Sequence, residues 1–251
     1  MIASATCSPA RAGVEPPPWD GGDSVVTPFE ARAGQIASTL AGMLVSVRCV
    51  NQSRWRALGD RLGFDPMRTW ALTPFHWNAA IGRAAPSRYA IFSPRTCALG
   101  AAFASNPRNL GTRTCPVTAG GRTPTGRRIL GYGDCDNWPS KLLAVHVLAH
   151  EAMHLRGVRS EAVADCLAVQ LDAIAAAALG ADRAFARSMA RELWDDFYVV
   201  RDRTFRTVTC HDGGELDLFP DRPGWPTPSV YPAGVSVPSG VPEFNDAPSK
   251  E

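Results

Sequence analysis

Lysine is nearly missing from this chain of 251 residues: it occurs only at Lys141 and Lys250, and arginine supplies almost all of the positive charge. The basic residues are scattered rather than clustered, and the formal net charge is only +2. A surface that follows the phosphates of a nucleic acid needs a concentrated basic stripe, so nucleic acid is not expected as a partner. The sequence also lacks any uninterrupted apolar window of about 18 residues, so no membrane-spanning helix is expected.

The cysteines lack the CxxC spacing that is typical of thiolate zinc clusters. They are dispersed singly along the chain, which favours disulfides formed in an oxidising compartment; the alternative is a set of buried free thiols in a cytosolic protein. Cys97 and Cys115 enclose a stretch without regular periodicity, so we predict that they form a disulfide. The seven cysteines are Cys7, Cys49, Cys97, Cys115, Cys135, Cys166 and Cys210.

The N-terminus lacks both the charged start and the long apolar run of a complete signal peptide. Ala10-Arg11-Ala12 nevertheless has the small-x-small form of a cleavage site, and a proline-rich segment follows it. We therefore expect the reading frame to begin upstream of Met1, and the protein to be secreted or held in the cell envelope.

Composition divides the chain into three parts. Residues 1–27 are rich in proline, glycine and small residues and are predicted to be a flexible leader, and residues 211–251 have a similar composition and are predicted to be an extended tail. Residues 28–210 are predicted to form one α+β domain, mainly helical, with a small β-sheet before its principal helix.

The first part of this domain is predicted to contain two helices. Apolar residues recur at helical spacing over residues 28–48, and Thr27 can cap that helix at its start. A shorter helix is predicted to begin at Ser53 and to end at Gly63.

Helical periodicity then breaks down between residues 64 and 138. Two short apolar runs in this region, 89–92 and 129–132, are predicted to be strands. Beyond it, helices are predicted at 142–156, at 161–179 and after a cap at Asp182.

The motif His150-Glu151-Ala152-Met153-His154 lies inside the helix predicted at 142–156. Because the two histidines are four residues apart, both imidazoles project from one face of that helix and can bind a single metal ion. Uncharged neighbours such as Leu148 and Leu155 predict that this helix is buried. The alternative is a pair of buried histidines that are only hydrogen-bonded.

A catalytic zinc site needs a third protein ligand and an open fourth position. Gly157 allows the chain to reverse, and Glu161 then begins the next helix, where its carboxylate can return to the metal. Asp165 lies one turn further on the same face and can accept the free N–H of a metal-bound histidine. The alternative for Glu161 is a favourable charge at a helix N-terminus, and for Asp165 a solvated carboxylate.

The motif from His150 to His154, followed by Glu161-Ala-Val-Ala-Asp165, resembles the gluzincin branch of the zincin metallopeptidases, which combine HExxH with a downstream glutamate helix. It is also similar to a group of secreted actinobacterial proteins in which HExxHLxG precedes a glutamate-containing helix. The spacing from His154 to Glu161 is shorter than in most gluzincins and closer to that of metzincins. The third histidine of the metzincin pattern would fall at Ser160, however, and serine is a poor zinc ligand.

The resemblance implies a zinc peptidase that acts on a peptide or protein substrate. It implies that His150, His154 and Glu161 bind Zn²⁺ and that Glu151 is the general base. In zincins an edge strand beside the active helix binds the peptide by strand addition, and residues 89–92 are our candidate for that strand.

Further residues have weaker claims on the site. His146 lies one turn before His150 and is predicted to be a hydrogen-bonded core histidine that could support the metal ligands. Cys166 is predicted to be a disulfide or a buried thiol rather than a ligand. The residues considered for stabilising an oxyanion, each more often structural, are His76, Tyr132, Tyr198 and His211.

Two other functions remain open from the sequence. One is a secreted binding or structural protein that holds zinc as a staple without turnover. The other is a metal-dependent amidohydrolase that acts on a non-peptide substrate.

Overall fold

A computed structural model describes residues 25–78, 83–108 and 138–221 of the chain. The helices are α1 (Pro28–Ala41), α2 (Gln52–Leu62), α3 (Pro94–Ser105), α4 (Trp138–Leu155), α5 (Glu161–Ala178) and α6 (Arg183–Asp196), followed by a short 3₁₀ helix at Tyr198–Val200. The strands are β1 (Ser46–Cys49), β2 (Ala71–Leu72), β3 (Phe75–Asn78), β4 (Arg83–Pro86) and β5 (Tyr89–Phe92). The α+β class and the small sheet before the HExxH helix are confirmed.

Helix α4 is the central element of the packing and contacts α1, α3, α5 and α6. It is buried on every side: Leu143, Leu148, Met153 and Leu155 are each at most 1% exposed. A helix that is apolar all round has this environment because any exposed face would leave apolar surface in water. Helix α5 is equally buried from Ala164 to Ala178, and its many alanines allow a close approach to α4.

The strands form two small sheets. In the larger one the order is β1-β5-β2, with β1 parallel and β2 antiparallel to β5. Strands β3 and β4 form a separate antiparallel pair. The strand predicted at 89–92 is therefore present as β5, but the prediction that it is an exposed edge strand is wrong, since β5 is paired on both sides.

Two helices differ from their predicted bounds. Helix α1 has the predicted Thr27 cap but ends at Ala41, because Gly42 adopts a left-handed conformation (φ 71°) that stops the helix. The rest of the predicted helix is a loop and strand β1. Helix α2 ends at Gly63 as predicted, but Asn51 caps it rather than Ser53: the Asn51 side chain accepts a hydrogen bond from the Arg54 amide.

Helix α3 lies in the region where no helix was predicted. Ser93 caps it by accepting a hydrogen bond from the Thr96 amide, and Pro94 occupies its first turn. The Ser93-Pro94 pair, directly after the predicted strand at 89–92, was the sequence signal that could have predicted this helix. The strand predicted at 129–132 lies outside the described residues.

Among the described residues, two disulfides are present, Cys49–Cys97 and Cys166–Cys210. The predicted pairing of Cys97 with Cys115 is therefore wrong. The sheet explains the actual partner: β1 runs beside β5, which leads directly into α3, so Cys49 and Cys97 come to a Cα–Cα distance of 5.9 Å. The bonds indicate an extracellular or otherwise oxidising environment.

The packed structure continues beyond residue 210, the predicted end of the domain. Phe219 is 5% exposed and belongs to the main core, and the backbone of Leu216 and Leu218 is hydrogen-bonded to the buried side chain of Gln170. Within the described ranges, none of the helices combines the length and the hydropathy needed to cross a bilayer.

Candidate metal centre

Three histidines of α4 share one face of the helix because they are spaced four residues apart. His146, His150 and His154 are 1%, 3% and 6% exposed. Helix α5 packs along this face and brings three carboxylates to it, those of Glu161, Asp165 and Asp172. Every residue that the sequence analysis placed at the metal site therefore lies between these two helices or directly beside them.

A tight turn returns the chain from α4 to α5. Gly157 has a φ of 106°, which favours glycine, and the Val158 amide donates a hydrogen bond back to the Met153 carbonyl. The Ser160 side chain then caps α5. This turn places Glu161 against His154, seven positions earlier in the chain.

We call His150, His154 and Glu161 the metal-ligand cluster, because these three side chains could hold a metal ion. Nε2 of His150 lies 2.9 Å from Nε2 of His154 and 3.1 Å from Oε2 of Glu161, and the last two atoms are 3.6 Å apart. These distances define a triangle with a circumradius of about 1.9 Å. The triangle is therefore small enough for all three atoms to reach one ion at the roughly 2.0–2.1 Å typical of zinc bonds to nitrogen and oxygen.

The contacts of the two Nδ1 atoms determine the tautomer of each ring and therefore the role of each Nε2 atom. Nδ1 of His154 lies 2.7 Å from the Val158 carbonyl, which can only accept, so this nitrogen carries the proton and Nε2 presents a lone pair. Nδ1 of His150 lies 2.6 Å from Oδ1 of Asp165, although the oxygen is off the N–H direction of the ring. Two ring nitrogens and a carboxylate thus converge on one point, as a bound cation requires.

Glu151 lies beside this cluster and is 2% exposed. Its Oε2 accepts a hydrogen bond of 2.8 Å from the hydroxyl of Thr73, in the link between β2 and β3. Burial raises the pKa of the Glu151 carboxyl, while His154, His150 and the Thr73 hydrogen bond act in the opposite direction. A raised pKa makes this carboxylate a stronger base than an exposed glutamate, which suits it to accept a proton.

A second group of charged residues continues behind His150, and we call Asp172, His146, Asp165 and Arg201 the charged line. Nδ1 of His146 lies 3.0 Å from Oδ2 of Asp172, and its Nε2 lies 3.3 Å from Oδ1 of Asp165. The other oxygen of Asp165 pairs with the Arg201 guanidinium. His146 is therefore a core histidine held at both nitrogens, as its buried position predicted.

His146, His150 and Asp165 also lie close enough together to be considered as metal ligands. The Arg201 guanidinium already supplies a positive charge to Asp165, however, and a cation beside it would be repelled. The Asp165 carboxylate already forms ion pairs with Arg201, His146 and His150. We therefore assign the charged line to ion pairing.

The pKa values in the metal-ligand cluster reflect this crowding of histidines and carboxylates. Burial lowers the pKa of His150, but its contacts with Asp165 and Glu161 outweigh burial and raise it to about 10. Burial raises the pKa of Glu161, but hydrogen bonds from His150 and His154 lower it to about 2. In the metal-free protein His150 therefore carries the positive charge that a metal ion would otherwise supply.

In the charged line, burial raises the pKa of Asp165, but Arg201 and then the two histidines hold it well below its usual range. The pKa of Asp172 is raised, because burial outweighs the attraction of His146. Arg201 lies over the rings of Phe197 and Phe205, at 4.5 and 4.1 Å from their centroids, which fixes the guanidinium in place.

The other sequence candidates lie away from the cluster or outside the description. Tyr198 is stacked on Trp194 and packs with the Cys166–Cys210 disulfide, so Cys166 is not a free ligand. His211 is exposed, and its ring lies against the Asp212 backbone. His76 follows Phe75, whose ring meets His154 edge-on, so His76 points to the opposite face of β3. Tyr132 lies outside the described residues.

Sequence reasoning missed Thr73, Asp172 and Arg201. Asp172 had a usable signal: it lies seven residues after Asp165 in a mainly apolar helix, which places both carboxylates on one buried face. Thr73 and Arg201 are 78 and 36 positions from the carboxylates that they contact, and no local pattern links them.

No protein family model matches this chain, and no curated protein and no solved structure is detectably similar to it.

Proposed function

We propose that the protein is a zinc-dependent peptidase, exported from the cell, with His150, His154 and Glu161 as zinc ligands. The observation that carries the proposal is the convergence of two Nε2 atoms and a carboxylate oxygen within 3.6 Å, with a buried glutamate beside them. Two imidazoles and one carboxylate are a ligand set that zinc accepts in catalytic sites.

Bound zinc supplies a Lewis acid that polarises the scissile carbonyl and makes water more acidic. Glu151 takes the proton of the attacking water and transfers it to the leaving amine. Thr73 holds one oxygen of Glu151 at 2.8 Å, which leaves the other oxygen for the water. Asp165 orients the ring of His150, and the Val158 carbonyl orients that of His154.

A second candidate is a zinc-stapled protein without turnover. The burial of the ligands favours it, because His150, His154 and Glu161 are only 3%, 7% and 11% exposed in their side chains. In that case the protein would bind zinc with the same three ligands, but Glu151 would have no chemical role.

The test is zinc content together with hydrolysis of dye-labelled casein and of a pool of quenched fluorescent peptides. The variants are His150→Ala, Glu161→Ala and Glu151→Gln, with the exposed His211→Ala as the matched control. We expect the first two to lose zinc and activity, and the control to retain both. Glu151→Gln should keep zinc but lose about 10²–10⁴-fold in rate, the usual contribution of a general base.

The possible outcomes separate the two candidates. If Glu161→Ala binds zinc as tightly as the unmodified protein, the ligand set is wrong. Zinc that requires all three ligands, in a protein that hydrolyses none of the peptides, would instead support the zinc-stapled protein.

A further inference from the structure

His146 and Asp172 are fully buried charged residues that take no part in the proposed reaction. His146 cannot join the metal-ligand cluster, because its two ring nitrogens are already directed at Asp165 and Asp172. Asp172 is 0% exposed and lies about two turns beyond Asp165 on α5. Burying such groups is costly unless they are paired, so their presence behind a metal site requires an explanation.

Asp165 must hold its carboxylate in one orientation if it is to fix the ring of His150. Its Oδ1 is shared by two histidines, at 2.6 Å from His150 Nδ1 and 3.3 Å from His146 Nε2. Its Oδ2 is held by Arg201. Without His146, Oδ1 would keep only one of its two contacts, and the Asp165 carboxylate could rotate away from His150 while it stays paired with Arg201.

Asp172 acts one step further back. Its carboxylate lies 3.0 Å from Nδ1 of His146 and so fixes the orientation of the His146 ring. The edge of that ring also meets Phe197, with centroids 5.4 Å apart, which leaves the imidazole little freedom. The contacts therefore alternate between α5 and α4, from Asp172 to His146, then to Asp165 and finally to the zinc ligand His150.

We propose that His146 and Asp172 are positioning residues for the metal site, which fix the Asp165 carboxylate and through it the imidazole of His150. The proposal rests on the proposed function, since it assumes that His150 is a metal ligand. It predicts that substitutions about two helical turns behind the metal weaken metal binding, although neither residue can touch the ion. Partners that orient a ligand in this way typically change metal affinity by about 10–100-fold.

A purely structural role predicts a different result, and α5 offers the matched control. Gln170 is also 0% exposed, but its side chain bonds to the backbone of Cys166, Leu216 and Leu218, away from the metal-ligand cluster. Gln170→Leu should therefore lower stability by leaving buried backbone groups unpaired, without changing metal affinity.

The experiment uses the full chain and measures the zinc dissociation constant by competition with a chelating indicator. The variants are His146→Phe, Asp172→Asn and Gln170→Leu. We expect His146→Phe to weaken zinc binding by about 10–100-fold, Asp172→Asn by about tenfold, and Gln170→Leu by less than about twofold. The absorption spectrum of bound Co²⁺ should change in the first two and remain unchanged in the control.

The proposal is overturned if Asp172→Asn, which preserves shape and volume, binds zinc as tightly as Gln170→Leu does. This variant decides the matter even if His146→Phe does not fold. Failure of the proposed function would be seen separately, as zinc binding that is unaffected by Glu161→Ala.

Discussion

The metal-ligand cluster and the charged line both combine histidines of α4 with carboxylates of α5, yet they balance their charge differently. In the charged line the Asp165 carboxylate is paired with the fixed guanidinium of Arg201. Among the residues that the structure describes, the ion-pair partners of Glu161 are the two histidines alone. Since neutral histidines carry no charge, this carboxylate needs either a proton on a ring or an external cation.

The difference shows why histidines and carboxylates in proximity do not by themselves define a metal site. Where a permanent cation of the protein already balances the carboxylate, no metal ion is needed and the stability of the fold depends on that ion pair. Where the only available positive charge is a displaceable proton, the group is open to a metal ion. If this distinction is correct, the two groups should respond differently to substitution, to metal and to pH.

Arg201→Met should lower the free energy of unfolding of the metal-free protein by about 3–5 kcal/mol, because it leaves the buried Asp165 without its cation. Methionine keeps an apolar side chain between Phe197 and Phe205. Glu161→Gln should cost less under the same conditions, since His150 keeps Asp165 as an ion-pair partner. Urea denaturation with a chelator present gives both values, and equal losses would abolish the distinction between the two clusters.

Removal of the Cys166–Cys210 disulfide by double alanine substitution should cost about 2–4 kcal/mol and also weaken zinc binding. Cys166 directly follows Asp165, and Cys210 anchors the segment that carries Arg201. The matched control is the double alanine variant of Cys49–Cys97, because the two disulfides span similar separations of 44 and 48 residues. This control variant should lose a similar free energy of unfolding, measured by urea denaturation, but keep the zinc dissociation constant unchanged. A loss of zinc affinity in both variants would argue against a specific link to the charged line.

Zinc at a hundredfold excess over its dissociation constant should raise the free energy of unfolding by about 2.7 kcal/mol. His154→Ala should abolish this increment, because it removes a ligand nitrogen from the metal-ligand cluster. His211→Ala should retain it. Thermal unfolding with and without zinc is the measurement, and an increment that persists in His154→Ala would show that the metal binds elsewhere.

A further effect is a pH dependence of the metal-free protein. The pKa of His150 is raised from 6.5 to about 10 by folding, so its contribution is fully present below pH 6.5 and is lost as the pH rises through 10. The pKa of Glu161 is lowered from 4.5 to about 2, so its contribution is present above pH 4.5 and is lost as the pH falls through 2. From these two residues, the metal-free protein should be most stable between about pH 4.5 and 6.5.

Zinc should reverse the alkaline part of this profile, because it replaces the proton on His150 and binds more tightly as the pH rises. Urea denaturation across pH 4–10, with zinc and with chelator, compares the two curves. Parallel curves would show that zinc and this proton do not compete.

The features that could be predicted from the sequence are those encoded by nearby residues. The caps Thr27, Ser160 and Asp182 each bond to an amide three positions later, so the starts of α1, α5 and α6 were readable. The approach of Glu161 and Asp165 to the α4 histidines followed from helical spacing and one glycine turn.

The features that could not be predicted depend on distant partners. Val47 fits a helical pattern but lies in β1, because it is aligned with Ala90 of β5. Cys49 faces Cys97 for the same reason. Arg201 is one of many arginines in the sequence, and only the packing of the 3₁₀ segment against α5 selects it as the partner of Asp165.

The five-residue turn between α4 and α5 also affects the order of folding. All three residues of the metal-ligand cluster lie within residues 150–161, so bringing them together closes only a short loop and loses little chain entropy. Arg201 must instead return across 36 residues to reach Asp165. We therefore expect the helical hairpin to be able to capture zinc in a partly folded chain, before Arg201 docks and before the Cys166–Cys210 disulfide closes.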